Sequence, residues 1–144
     1  MNRKILPLLT LLLLFPLPPV FAGWTSFAEV DDVEVFVDLE SLEKTQNSAK
    51  LSVMLSYGSG RTVRTKFFSS VDTVEFHCQK LLLRRLSMKN FSGLMGQGAE
   101  VYATTVAGAW QPINLFGLDY EIRSMACSAT DVPIQKTDPQ SNNG

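Results

Sequence analysis

The sequence predicts an α+β domain: a single antiparallel sheet of about six strands, a C-terminal helix packed on it, and one disulfide. Three observations predict it. Apolar and polar residues alternate with period two through much of the stretch from Trp24 to Val106. Beyond it, Leu115, Leu118, Ile122 and Met125 recur at helical intervals. Two cysteines, Cys78 and Cys127, stand in a chain that starts like an exported protein.

Residues 1–22 read as a cleavable secretory signal peptide. Arg3 and Lys4 give a positive start, and Ile5 to Phe15 form an apolar run broken only by Pro7 and Thr10. That run is too short for a bilayer span, which takes roughly 20 residues. Pro16, Pro18 and Pro19 end it, and Val20-Phe21-Ala22 places small residues where a signal peptidase reads. The cut is expected after Ala22. No cysteine stands there to carry a lipid, and no later stretch is apolar enough to span a membrane. Removing 22 of 144 residues leaves 122. They are expected to form one domain over residues 23–130 and a polar, flexible tail over 131–144.

The elements follow in order. Trp24 to Val30 is the first strand, and Asp31-Asp32 turn tightly into a second, where Val33, Val35 and Val37 alternate with Glu34, Phe36 and Asp38. Asp38 then caps a short turn over Leu39 to Lys44. Leu51, Val53, Leu55 and Tyr57 alternate with Ser52, Met54 and Ser56, a third strand with one wet face. Gly58-Ser59-Gly60 turns the chain into a fourth strand, Thr62 to Ser70, and residues 71–78 lead on to Cys78. Lys80 to Phe91 is the fifth strand, with Leu82, Leu86 and Met88 on a face that Arg84 interrupts. Gly93, Gly96 and Gly98 mark a mobile turn before the sixth, Ala99 to Val106. Asn114 is placed to cap the helix, although Tyr120, Ile122, Ser124 and Ala126 also alternate as in a short strand.

Charge is segregated along the chain. Residues 23–48 hold seven acids and one base, and residues 49–90 hold eight bases and two acids. Neighbouring strands carrying complementary charge on a wet face account for this pattern. The sharper reading is a basic strip, Arg64, Lys66, Arg84 and Arg85, that contacts an acidic partner. Phe67 and Phe68 adjoin it and cannot both face inward on a one-faced sheet, so one is exposed, covered, or at an interface. The whole-chain net charge of −1 implies no nucleic-acid role.

In an exported chain Cys78 and Cys127 oxidise to each other. The closed loop restricts the unfolded chain by roughly 4 kcal/mol. A redox pair is better served by Cys-x-x-Cys, and zinc needs more ligands than two thiols and the lone His77. His77 has no nucleophile elbow near it and reads as a strand-edge side chain. Asp31-Asp32 and Asp38 with Glu40 are solvated turn acids, without the spacing of a calcium loop. Gly93-x-x-Gly96-x-Gly98 lacks the Lys-Ser/Thr ending of a phosphate loop. Asn90-Phe91-Ser92 matches the glycosylation sequon, a short and weak pattern. No catalytic residue, metal or cofactor is expected.

Several segments in this order carry a resemblance. Trp24 follows the cleavage site, and Phe36-Val37-Asp38 precedes Ser41-Leu42 and Lys44. Cys78 is followed by Arg84-Arg85-Leu86-Ser87 and Phe91-Ser92-Gly93-Leu94-Met95-Gly96-Gln97-Gly98, then by Trp110-Gln111-Pro112-Ile113 and Cys127. From Trp24 to Cys127 the chain resembles the surface-adhesin protein E family, small exported proteins of Gram-negative bacteria. The resemblance implies a six-stranded antiparallel sheet whose C-terminal helix is tied down by a Cys78–Cys127 bridge. It implies adhesion to host proteins without catalysis, and homodimerisation through the sheet, which would suit Phe67 or Phe68. The expected protein is a non-enzymatic, adhesin-like binder in the periplasm or at the cell surface, contacting host or envelope proteins. The alternative is a soluble periplasmic interaction or inhibitor module that works through the basic strand pair.

Overall fold

The computed structural model describes residues 23–58 and 66–129. The leader 1–22, the first four residues of the expected fourth strand, Arg64 among them, and the tail 131–144 lie outside the described residues. The chain forms β1 (Trp24–Val30), β2 (Val33–Lys44), β3 (Ser48–Tyr57), β4 (Ser69–His77), β5 (Leu82–Phe91), β6 (Glu100–Thr104), β7 (Gln111–Pro112) and α1 (Leu118–Ser128). One antiparallel sheet holds β1 to β6 in chain order, and β7 pairs with β5. The α+β architecture with a C-terminal helix and a Cys78–Cys127 disulfide is therefore as expected.

Strand alternation sets which face is the core. Val33, Val35, Val37, Leu51, Val53 and Phe76 are buried on one face of β2 to β4, and α1 covers them with Ile122 and Ala126. Asp31 and Asp32 have φ of 50° and 61°, the left-handed pair that a two-residue hairpin of type I′ requires. The helix is fastened at its C-terminal end. Cys127 is bonded to Cys78, just past β4. Arg123 donates through Nε to the His77 carbonyl (3.0 Å) and through Nη2 to that of Cys78. Lys44 Nζ donates to the Ala129 carbonyl at 2.6 Å, beside the unpaired carbonyls of the last turn.

Asp38 caps its turn as expected: Oδ1 accepts from the N–H groups of Glu40 (3.0 Å) and Ser41 (3.3 Å). Ser41 Oγ donates back to the Asp38 carbonyl (2.7 Å) and accepts from Ser52 N (2.8 Å). These bonds build an irregularity within β2, so the strand continues through Lys44 where a plain turn was expected.

Five local expectations are corrected. The fourth strand is Ser69–His77, not Thr62–Ser70. Its core face reads Ser70, Asp72, Val74, Phe76, and two polar residues in four hide the alternation. The second face of β3 is not wet: Met54 is fully buried and Ser56 nearly so. The helix starts at Leu118 with Gly117 as its N-cap, and no side chain caps it. Asn114 instead closes its own turn, Oδ1 accepting from Phe116 N at 3.0 Å, and Leu115 is exposed. In β5 an extra residue at Leu86 shifts the pairing with β4, so Leu82, opposite His77, and Met88, opposite Asp72, face opposite sides.

The fifth correction concerns the glycine-rich turn, which is tied down at every step. Gly93 N bonds the Gln97 carbonyl (2.9 Å), and Ser92 N the Ala99 carbonyl (2.9 Å). Ser69, fully buried, donates through Oγ to the Gly93 carbonyl (2.6 Å) and accepts from Gly96 N (2.9 Å). Gly96 sits over Met54 Sδ and Val71 Cγ2, where a Cβ would lie 3.6 Å from each. This loop covers the back face of β3 and β4.

Candidate functional site

Of the expected basic strip Arg64 lies outside the described residues, and the two arginines of β5 do not share a face. Arg84 and Arg85 are adjacent in β5 and face opposite sides of the sheet. Arg84 lies opposite Glu75, with Nε and Nη2 each 2.6 Å from Oε2, and its guanidinium stacks 4.6 Å over the Trp110 ring. Arg85 is on the helix side, Nε 2.7 Å from Asp72 Oδ2. Lys50 pairs with Glu43 at 2.8 Å and Lys89 with Glu100 at 3.3 Å. Of these pairs only Lys50–Glu43 joins the acidic stretch 23–48 to the basic stretch 49–90, while Arg84 and Arg85 are balanced by the two acids within the basic stretch itself. Lys66 is exposed, Phe67 packs edge-on against Tyr57 at 5.6 Å, and Phe68 is more exposed than Phe67.

A different surface stands out: the last edge of the sheet. Residues 100–112 run antiparallel along the outer side of β5, held by β6, by Gly108 N to the Arg85 carbonyl (2.8 Å), and by β7. Almost all of this stretch is exposed. It presents Val101, Tyr102, Val106 and Trp110, with Val106 81 % exposed. The turn after β7 adds Leu115 and Phe116, the latter 98 % exposed. Among the described residues nothing pairs with the outer side of β6, so its backbone groups are open to another chain. Sequence reading placed a sixth strand here without seeing it as an edge. The signal was available: the last strand of a meander has a neighbour on one side.

A second feature lies beneath the N-terminal end of α1. A cavity of about 320 Å³ is bounded by the sheet, the helix and the strap at Gly108 to Gln111. Its walls are apolar, chiefly Val35, Val53, Leu55, Val74, Phe76 and Ile122. Its charged groups are Asp72, Arg85 and Asp119, and Gln111 adds a neutral polar side chain at the strap. Asp72 is 5 % exposed, and its Oδ1 meets no donor among the described residues. Burial pushes the Asp72 carboxyl above the ordinary carboxylate value, and the Arg85 charge and hydrogen bond only partly offset this. Asp119 is raised for the same first reason, with Arg85 opposing. Asp72 carries no site signal in the sequence, where residues 71–78 read as a connection to Cys78.

His77 ends β4, where Nδ1 accepts from Gln79 N at 3.2 Å and the ring lies 6.0 Å from Trp110. Asn90 is buried at 6 % exposure, so its sequon is out of reach of a transferase in the folded chain. Among the described residues no group of three or more His, Cys, Asp or Glu side chains is set to hold a metal ion, and no helix is long and apolar enough to cross a membrane.

A family model described as surface-adhesin protein E matches residues 24–128. No curated protein shows significant sequence similarity to the chain. Three crystal structures of Haemophilus influenzae protein E share the fold. Crystal form II aligns with TM-score 0.56 at 14 % identity, over 79 % of this chain and 94 % of that one. The selenomethionine form aligns with TM-score 0.56 at 16 % identity, covering 79 % and 92 %. Protein E from a non-typeable strain aligns with TM-score 0.52 at 14 % identity, covering 79 % and 81 %.

Proposed function

The chain belongs to the surface-adhesin protein E family, and from that premise we propose that it is an exported, non-enzymatic binding protein of a Gram-negative envelope, adhesin-like in action, that contacts a host or envelope protein. Residues 1–22 direct its export and are removed. The observation that supports this reading beyond family membership is the open edge along residues 100–112. It offers unpaired strand backbone, which gives affinity, beside apolar and aromatic side chains, which give specificity. Phe68 belongs to the same end of the sheet, since its N–H bonds the Phe91 carbonyl at 2.9 Å and Phe91 pairs with Glu100. Lys66 lies two residues away and supplies an exposed charge at that end.

The test is cross-linking of the exported protein in its native envelope, with and without the variant Tyr102→Lys/Val106→Lys. Both side chains are exposed, so the variant should melt within a few degrees of the parent while capture of the cross-linked partner falls at least tenfold. Unchanged capture overturns the edge as contact surface. So does capture that is lost only in Arg64→Ser/Lys66→Ser, which would move the contact to the basic segment. An adhesin acting on host proteins must also be reachable from outside. Protease applied to intact cells should remove it, and full protection would confine its partners to the envelope.

A further inference from the structure

We propose that the cavity beneath the N-terminal end of α1 binds a small amphiphile, an apolar body of about the size of one aromatic ring carrying a protonated amine. Three observations lead there. At about 320 Å³ the space is at the lower end of what small-ligand sites offer. Its apolar walls are side chains of β2, β3, β4, β5 and α1, several of them members of the hydrophobic core. Its polar groups are not mutually satisfied. Asp72 Oδ2 is held by Arg85 Nε at 2.7 Å, yet Oδ1 has no donor among the described residues, although the side chain is only 7 % exposed. A buried carboxylate oxygen left without a donor is costly, and a donor brought by a ligand removes that cost.

The sign of the ligand follows from the count of charges at the cavity. Two carboxylates, Asp72 and Asp119, face one guanidinium, Arg85. A carboxylate or phosphate would add a third negative charge beside an acid that already lacks a donor. An ammonium group supplies N–H donors to Asp72 Oδ1 and balances the net negative charge. The apolar body then lies against Val53, Phe76 and Ile122. Entry is from the rim at Gly108, Ala109 and Gln111, all exposed. Asp119 stands in the first turn of the helix, at the mouth, where its charge draws the cation in.

The experiment is isothermal titration of the exported chain with three isosteric probes: 2-phenylethylamine, 2-phenylethanol and phenylacetate. The amine should bind in the millimolar range or tighter, with the alcohol weaker and the anion at least tenfold weaker. In methyl NMR the amine should shift Val53 and Ile122. Asp72→Asn should lower the amine affinity at least tenfold and leave the alcohol unchanged. Asp119→Asn, at the exposed rim, should lower it several-fold and serves if the first variant fails to fold. Glu34→Gln, outside the cavity, should change nothing. The proposal is overturned if none of the probes binds, if the anion binds as well as the amine, if the shifted methyls lie elsewhere, or if the aspartate variants bind the amine like the parent.

Discussion

Asp72 and Arg85 share an ion pair unequally, because the acid is buried while the side chain of the base is 52 % exposed. Desolvation therefore falls on the carboxylate, and its affinity for a proton is higher folded than unfolded. Such a group favours the native state at low pH. Its contribution is lost as pH rises from the unfolded value near 3.8 through the raised folded value. Asp72→Asn cannot ionise and lacks this loss. Urea midpoints over a pH series should thus show the variant gaining on the parent as pH climbs, with the difference levelling off above the folded value. A difference that runs the other way would mean that Arg85 outweighs burial. At Asp38, Ser41 and Lys44 the residue scale explains a motif. The first two shape the irregular part of β2, and the third reaches the far end of the helix.

At the scale of elements, the loop over residues 92–98 is what keeps Met54 and Ser69 dry. Gly98 has φ of +80°, and a Cβ there would lie 2.6 Å from Ser92 Oγ. Ser69→Ala removes a buried hydroxyl bonded on both sides and should cost about 1–3 kcal/mol in chemical denaturation. Hydrogen exchange should accelerate in the loop before the rest of the sheet, and uniform acceleration would show that the loop is no separate unit. Alternation made the first half of β2 and most of β3 legible in the sequence, and the paired cysteines made the fastening of the helix legible. Legibility failed where burial and polarity part company. Asp72 and Ser70 are polar residues on the core face, while Leu115 and Phe116 are apolar residues in solvent. The candidate site suffered most. Arg84 and Arg85 read as one basic unit, but adjacency in a strand sends them to opposite faces. The exposed edge depends on which strand is last, and composition does not report that.

For the molecule as a whole, the Cys78–Cys127 bridge joins residues 49 apart across the sheet and helix. Replacing both with Ala should lower stability by about 4 kcal/mol on the loop-entropy model. Equilibrium denaturation of the variant beside the oxidised parent checks this, and a loss below about 1 kcal/mol would point to a denatured state already compact without the bridge. Because the spatial order of β1 to β6 repeats their chain order, each of these strands pairs with its chain neighbour at modest entropic cost, β7 returns to β5, and α1 travels farthest back, to β2 and β3. The sheet can zip from either end, but the row of valines on β2 stays bare until the last part of the domain arrives. The interval in which this chain is prone to stick to its own copies is therefore set by how soon residues 118–128 are in place. The sulfur–sulfur bond acts as the latch that ends it.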